Sequence, residues 1–431
     1  KDVFNGKQLA YKVSMNSVYG FTGASKGMLP CVPIAATVTC EGRHMIEQTK
    51  ELVEREFPGA KVRYGDSVTP DTPLLIRVNG VVYTKRIDDL VGTYELRDDG
   101  KEIGKVNAEV WTEKGFTKIE QVVRHKTTKN IYRVLTHTGV VDVTEDHSLL
   151  DSSASMIKPT EVTVGTELLH GNCMEAIGSE YEKVSIEEAK VMGFFYGDGS
   201  CDDNTWTLKN SSVDYILEIH NLCSFGTKLY ESNGTYKLSA FGDTETVCSK
   251  YRSLFYNKHN EKVVPACILN APIEIVKSFC DGYSMTNELD ESKEGATGLF
   301  ILGKRLGYNV SLNGTRQMWM KSVHLSSPTA IKKIELLGQT DDYVYDLTTS
   351  SHHFHVGPGE LVVHNTDSVM VEFDCQGRSG QEALDYSWKL GEQAAELCNH
   401  MFKKPKNLEL EKVYWPYILY SKKRYAAKMW T

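Results

Sequence analysis

The sequence predicts a multidomain protein in which an α/β module lies inside an all-β unit, and the all-β unit in turn interrupts an α+β protein. A chain of 431 residues is too long for one ordinary domain. Short alternating runs broken by Gly, Asn and Asp fill residues 67–170 and return at 329–365, whereas helical spacing dominates 184–325. The middle of the chain therefore contains one kind of structure nested in another.

The two flanks of this middle region contain the same elements in opposite order. Apolar residues recur at helical spacing over 34–57, and the alternating stretch KVRYGD (61–66) follows. After the middle region, SVMVEF (368–373) alternates again and a helical pattern covers 381–402. One strand ends where the middle region begins and another starts where it ends, which predicts the two arms of a single β-hairpin.

Composition and charge exclude several classes of protein. No apolar run is long enough to span a bilayer and no signal peptide opens the chain, so we expect an intracellular protein without membrane contact. The ten cysteines have no metal-ligand spacing and are typical of intracellular thiols. Residues 1–66 carry nine Lys/Arg against seven Asp/Glu, and residues 366–431 carry ten against nine, so the flanks together have a net charge of +3. The net charge of the whole chain is −8, so the middle region has a net charge of −11. This asymmetry indicates different partners for the flanks and the middle.

Joining the flanks creates a motif at the predicted hairpin tip. The joined sequence KVRYGD–TDSVMVEF places Asp66 and Asp367 one residue apart, where two carboxylates can hold divalent metals for phosphoryl transfer. It resembles the YGDTDS motif of family B DNA polymerases. KVSMNSVYG (12–20) resembles the fingers-helix motif KxxxNSxYG of that family, and KKRY (422–425) resembles its KKxY motif. The three motifs lie in the family's order.

This resemblance covers 1–66 and 366–431 and is nearest to delta-type enzymes and those of large DNA viruses. It implies palm and fingers fragments of α+β fold that act at replication sites, in the nucleus or a viral factory. No segment resembles the family's third palm carboxylate or its exonuclease domain, so we expect no polymerisation by this fragment alone. The residues to which the resemblance gives roles are Asp66 and Asp367 (Mg²⁺), Lys12, Asn16 and Tyr19 (dNTP), and Lys422, Lys423 and Tyr425 (primer–template DNA).

The ends of the middle region resemble the splicing blocks of inteins, in the expected order. The resemblance implies an all-β horseshoe of the Hint type, formed by residues 67–175 and 328–365, that excises 67–365 and joins Asp66 to Thr366. A terminal His-Asn favours full splicing over the simpler cleavage of related autoprocessing domains. The blocks are SVTPDTPLL (67–75), GVVDVTEDH (139–147), VYDL (344–347), HHF (352–354) and LVVHN (361–365).

Chemistry gives a reason for the residues at the first junction. A peptide bond is inert at neutral pH and must become an ester before its acyl group can be exchanged. Ser67 can form that ester by attacking the Asp66 carbonyl if the oxyanion is stabilised. The resemblance implies that His147 contacts the amide nitrogen and that Thr144 helps to hold the site. Many inteins begin with Cys, and the Ser67 hydroxyl is a poorer nucleophile, which is compatible with a slow or altered variant.

The second junction has its own set of residues. By resemblance, Thr366 attacks the ester with Asp346 as the coupling residue. Asn365 then cyclises on its own backbone carbonyl, assisted by His364 and His352, and no cofactor is needed. Two alternatives stay open: an insertion that does not splice, and a metal site formed by the histidines 352, 353 and 355.

The stretch 176–327 resembles a LAGLIDADG homing endonuclease, an α/β module. VMGFFYGDG (191–199) matches the first motif, with glycines on one helix face and Asp198 at the helix end, where an acid can bind Mg²⁺ beside a scissile phosphate. In the second copy, FCDGYSMTNE (279–288), Asn287 takes the place of the acid. An amide is a weak metal ligand, so we expect a degenerate endonuclease; the alternative is an active enzyme that cuts duplex DNA.

Overall fold

The computed structural model divides the chain into two compact units. The flank unit comprises Lys1–Gly65, Ser350–His352 and Thr366–Thr431, and the insert unit comprises Asp66–Thr349 and His353–Asn365. The described residues are 45, 48–49, 52–53, 55–62, 67–96, 101–145, 147–173, 181–286, 292–313, 316–320, 327–349, 352–365, 371–403, 408, 410, 413–421 and 424–430.

Strands make up most of the regular structure in these ranges. In chain order they are β1 (Lys61–Val62), β2 (Pro73–Val78), β3 (Val81–Arg86), β4 (Glu95–Leu96), β5 (Glu102–Gly104), β6 (Glu109–Thr112), β7 (Gly115–Lys126), β8 (Asn130–Thr136), β9 (Val140–Thr144), β10 (Leu149–Leu150), β11 (Met156–Ile157), β12 (Gly199–Cys201), β13 (Trp206–Asn210), β14 (Thr227–Ser232), β15 (Thr235–Ala240), β16 (Asn309–Asn313), β17 (Arg316–Met320), β18 (Ile331–Gln339), β19 (Tyr343–Thr349), β20 (His353–His355), β21 (Val362–His364), β22 (Val371–Glu372), β23 (Val413–Ser421) and β24 (Arg424–Trp430).

All but one of the helices given bounds lie in the centre of the insert. They are α1 (Ile186–Asp198), α2 (Val213–Leu222), α3 (Thr244–Phe255), α4 (Ala266–Leu269), α5 (Ile273–Tyr283), α6 (Lys293–Arg305) and, in the flank unit, α7 (Gly380–Met401). Four begin after a side chain that accepts a hydrogen bond from a first-turn amide, as the N-terminus of a helix requires: Ser185, Ser212, Asp243 and Ser292. No helix in the described ranges is long and apolar enough to cross a membrane.

The β part of the insert unit forms three sheets around one apolar core. Their strand orders are β3-β2-β6-β7-β5-β4 with β19 beside β7, β18-β8-β9, and β11-β10-β21-β20. Strands from before and after the helical module share each sheet: β18 pairs with β8, β19 with β7 and β21 with β10. The predicted β-rich insert with an internal helix-containing module is thus confirmed, whereas the horseshoe shape stays a prediction.

The helical module is built on a close contact between α1 and α5. A Cβ on Gly193 would lie 1.8 Å from the carbonyl oxygen of Phe279, and a Cβ on Gly282 would lie 2.1 Å from that of Lys190. The backbones of the two helices therefore touch, which only glycine permits. Aromatic side chains of α1 and α3 pack beside this contact, with Phe195 and Phe255 rings 4.9 Å apart.

Helices dominate 184–325 as predicted, and six strands complete the α/β module. Strands β12, β13, β15 and β14 form a four-stranded sheet beside the helices, and β16 pairs with β17. Alternation is weak in β13 because consecutive side chains are buried and only Lys209 is exposed, and it is weak in β14 because five of its six residues are exposed. A strand buried on both faces gives no period of two.

The flank unit brings the two predicted hairpin arms together. β1 pairs antiparallel with β22, with Lys61 opposite Glu372 and Val62 opposite Val371. Helix α7 confirms the helical pattern predicted for this flank, and its Ala394 and Cys398 share a core with Leu52 and Val53. The interrupted strands are therefore paired neighbours.

Candidate active site

Hydrogen bonds to strands β9 and β19 fix the chain at Ser67 and Val68. Its carbonyl oxygen accepts from the amide nitrogen of Thr144 at 3.0 Å and from the Thr144 hydroxyl at 3.3 Å. The next residue, Val68, exchanges both backbone hydrogen bonds with Tyr345, at 2.8 and 2.9 Å, and forms a bridge to Val143. The Ser67 side chain is buried, and its hydroxyl oxygen has no hydrogen-bond partner among the described residues.

His147 follows Thr144 in a tight turn and is fully buried. The amide nitrogen of His147 donates to the Thr144 carbonyl at 2.9 Å. One residue later, the Ser148 carbonyl accepts from the amide nitrogen of His364 at 3.1 Å. The segment that holds Ser67 is therefore hydrogen-bonded directly to the segment that ends at the second junction.

Asn365 is also buried and held by a specific contact. Its side-chain amide nitrogen donates to the Leu347 carbonyl at 2.9 Å. The carboxylate of Asp346, the residue before Leu347, accepts a hydrogen bond from the Leu347 amide nitrogen at 2.8 Å. Tyr345, which bonds to Val68, lies on the same strand β19 as Leu347, which bonds to Asn365. The two junctions are therefore held by neighbouring residues of one strand.

A third group approaches His364 from β20 and the β6–β7 turn. His353 lies opposite His364 in the strand pair, and their ring centroids are 5.4 Å apart. The Nδ1 atom of His353 is 2.8 Å from the Glu113 carboxylate, and both side chains are largely buried. Burial alone would raise the pKa of Glu113, but the hydrogen bond and charge of His353 outweigh it and lower that pKa.

The sequence did not predict the Glu113–His353 pair. Glu113 lies 240 residues from His353, so no motif spacing connects them. His353 follows the predicted His352 in the sequence. Its position opposite His364 depends on the register of β20 against β21. His352 itself lies just before β20 with a φ of 58°.

Two other histidines serve the core. His355 and His170 are buried, and burial lowers the pKa of each to about 4. The Nε2 atom of His355 is 2.7 Å from the Gly359 carbonyl, and the Nδ1 atom of His170 is 2.9 Å from that of Leu168. Among the described residues, the ring nitrogens of His352, His353 and His355 do not lie close enough together to share a metal ion, so the structure does not favour the three-histidine metal site.

Several predicted site residues lie outside the described residues. They are Asp66, Thr366, Asp367, Lys12, Asn16, Tyr19, Lys422, Lys423 and Asn287, together with the side chain of Tyr425. Asp198 is described: it ends α1 and accepts a hydrogen bond from the side-chain amide of Asn210. Lys262 lies beside this helix end and donates to the carbonyls of Tyr196 at 2.8 Å and Gly199 at 2.6 Å.

Comparisons with known proteins identify the family of the flanks. The family model for DNA polymerase family B matches residues 1–82 and 332–431. A DNA polymerase of Acanthamoeba polyphaga mimivirus is 38% identical over 99% of this chain and 28% of its own length. A DNA polymerase of Thermococcus hydrothermalis is 26% identical over 83% of this chain and 27% of its own. This chain therefore spans less than a third of the length of either polymerase.

Among solved structures, two inteins match over most of their own length. An intein from a hyperthermophile is 12% identical to this chain. The match covers 70% of this chain and 99% of the intein, with a TM-score of 0.29. The transcription factor IIB Mvu mini-intein is 14% identical over 70% of this chain and 100% of its own, also at 0.29. These scores are too low to establish a common fold. The two ends of the chain thus match the family model for DNA polymerase family B, and an insert lies between the two matched segments.

Proposed function

We propose that the chain is a polymerase precursor whose insert, residues 67–365, is an intein. The observation that carries this proposal is the meeting of both junctions at one buried place. Ser67 is held by Thr144, and the segment of His147 is bonded to His364. Ser67 and Asn365 lie far apart in the sequence. Their meeting at one place is what a reaction that couples the two junctions requires.

The first step is the attack of the Ser67 hydroxyl on the Asp66 carbonyl carbon. A carbon–oxygen bond forms, the amide carbon–nitrogen bond breaks, and the hydroxyl proton ends on the freed Ser67 amine. The buried hydroxyl without a described hydrogen-bond partner is available for this attack, and Thr144 fixes the Ser67 carbonyl so that the backbone cannot turn away. His147 supplies the proton transfer to the leaving nitrogen.

The later steps exchange and release the acyl group. The Thr366 hydroxyl attacks the ester, and its proton passes to the Ser67 oxygen. The Asn365 side-chain nitrogen then attacks the Asn365 backbone carbonyl, forms a cyclic imide and frees the Thr366 amine. That amine displaces its own ester oxygen and leaves a normal Asp66–Thr366 peptide. His364, beside His353 and Glu113, serves the cyclisation.

For the joined flanks we propose template-directed DNA synthesis as part of a longer polymerase. Asp66 and Asp367 would hold Mg²⁺, which neutralises the phosphates of a dNTP during transfer. Lys12, Asn16 and Tyr19 would bind the dNTP, and Lys422, Lys423 and Tyr425 the primer–template DNA. The pairing of β1 with β22 supports this proposal, since it aligns the strands that splicing would connect.

The mass of the purified product tests the splicing proposal. Splicing yields an excised insert and ligated flanks in place of one chain of 48.4 kDa. Ser67→Ala combined with Asn365→Ala should leave only the full-length chain, whereas Ser153→Ala, at an exposed serine, should splice normally. Persistence of the unaltered full-length chain under all conditions would rule the proposal out.

We further propose that the central module is a degenerate homing endonuclease. The glycine contact between α1 and α5 and the acid at the end of α1 support a relation to that class. In the described ranges, a four-stranded sheet follows α1, but only the two-stranded β16–β17 follows α5. This inequality argues against two equivalent nuclease halves.

A further inference from the structure

The helical module contributes a lysine to the β part of the insert. Lys293 is the first residue of α6, and its Nζ atom lies 2.6 Å from an Asp142 carboxylate oxygen and 2.6 Å from one of Asp71. Asp142 belongs to β9, and Asp71 precedes β2. The Asp142 side chain is 3% exposed and that of Lys293 is 12% exposed. The ion pair is therefore nearly excluded from water.

The Asp71 carboxylate and the Asp142 backbone hold the chain just beyond the first junction. Thr69, two residues after Ser67, donates its amide to the Asp142 backbone carbonyl at 3.1 Å and its hydroxyl to the Asp71 carboxylate at 2.6 Å. Asp142 also lies two residues before Thr144, which holds the Ser67 carbonyl. A shift of the Asp71 carboxylate would release the Thr69 hydroxyl, and a shift of the Asp142 backbone would affect both Thr69 and Thr144.

Charge balance in this cluster depends on the module. Arg133 binds the Asp142 carboxylate through two nitrogens, at 2.7 and 2.6 Å. With Lys293, the cluster holds two cations and two carboxylates. Without Lys293, Arg133 would still pair with the buried Asp142 carboxylate, and the Asp71 carboxylate would lose the cation that holds it. Asp71, at 41% exposed, would turn towards water and release Thr69.

We propose that Lys293 is a positioning residue for the first splicing step, through which the nuclease-like module completes the splice site. This inference rests on the proposed splicing function. Lys293 does not reach the reacting atoms; it holds Asp71 and Asp142, and these hold the segment that begins at Ser67. The module cannot then be deleted without a replacement for this cation.

The test measures ester formation at Ser67 in the full chain. In an Asn365→Ala background, hydroxylamine captures the ester and releases residues 1–66 at a rate that reports the first step. Lys293→Met should slow this release about tenfold, because the activation free energy of the first step rises by a modest amount. Lys293→Arg should stay near the parent rate. Lys250→Met, which breaks the ion pair with Glu188 on the same module, should change nothing.

A second variant separates charge balance from folding. Lys293→Met combined with Asp71→Asn restores neutrality and should recover most of the parent rate. A parent-like rate in Lys293→Met, or a slow rate or failed folding in the double variant, would overturn the inference. If the parent itself releases nothing with hydroxylamine, the splicing proposal fails instead, and this is seen before any variant is made.

Discussion

Individual side chains at the two junctions have separable duties. His147 is bonded through its backbone to Thr144, which holds Ser67, whereas His364 and Asn365 contact other strands. We expect His147→Ala to abolish cleavage at Ser67 while some cleavage after Asn365 continues, because only the first bond loses its proton donor. Mass spectrometry of the products measures both cleavages. His220→Ala, on α2 of the module, is the control, and normal ligation by His147→Ala would contradict the assignment.

Glu113 provides a prediction about pH. Its pKa is lowered in the folded chain, because His353 outweighs the effect of burial, so its stabilising contribution is full above the ordinary value of 4.5. That contribution is lost as the pH falls through the lowered pKa. Glu113→Gln should therefore lower the Tm at pH 7, and this difference should shrink as the pH falls below 4.5, measured by thermal unfolding across that range.

The same variant has a chemical consequence at the second junction. Glutamine keeps an oxygen acceptor for His353 but removes the charge, so the ring beside His364 is oriented less firmly. We expect slower cleavage after Asn365 and unchanged ester formation at Ser67. Glu113→Asp should recover part of the rate. An equal loss at both junctions would show that Glu113 supports only the fold.

At the scale of elements, the sequence predicted what depends on local pattern. The helices α1, α5 and α7 lie where their spacing placed them, and the strands flanking the insert pair as expected. The individual strands of the module were not predicted because β13 is buried on both faces and β14 is exposed on both, and neither arrangement produces alternation. Lys293 and Glu113 act across long sequence separations, and no spacing rule connects a residue to a partner on another sheet.

The contact between α1 and α5 makes a prediction about packing. A Cβ on Gly282 would lie 2.1 Å from the Lys190 carbonyl oxygen, and the helix backbone cannot yield locally. Gly282→Val should destabilise the insert by about 1–3 kcal/mol or more, as overpacking does. Thermal unfolding measures this as a lower Tm. Gly92→Ala, where a Cβ meets nothing within 4 Å, should leave the Tm nearly unchanged; equal effects of both changes would contradict the packing argument.

At the scale of the whole insert, the β part has its own apolar core, and some of its side chains also pack into the core of the module. Leu75, Trp111 and Val140 of the β part pack in the same cluster as Phe194 and Leu299 of the module. The Asn270 side chain also exchanges hydrogen bonds with the backbone of Val82, at 2.9 and 2.8 Å. Such integration suits a module that is retained for its structural contribution, whatever its nuclease activity.

The last prediction concerns that nuclease activity. A two-fold endonuclease needs a carboxylate for each DNA strand, because each cut requires a metal ion held beside its own phosphate. Asp198 is present at the end of α1, but the second motif has Asn287, and an amide is a weak ligand for Mg²⁺. The insert also carries a net charge of −11 when the +3 of the flanks is taken from the total of −8, and this lacks the positive balance that favours duplex binding.

We therefore expect the purified insert, incubated with Mg²⁺ and a supercoiled plasmid carrying the uninterrupted polymerase gene, to make no double-strand break. Any nicking should disappear in Asp198→Asn, because that variant removes the acid at the end of α1 and keeps a side chain of similar size. A plasmid without the polymerase gene controls for contaminating nucleases. Efficient linearisation of the target plasmid would contradict the proposal of a degenerate endonuclease. It would direct attention to Glu288 or Asp290 as the second acid, since both lie within three residues of Asn287 in the sequence.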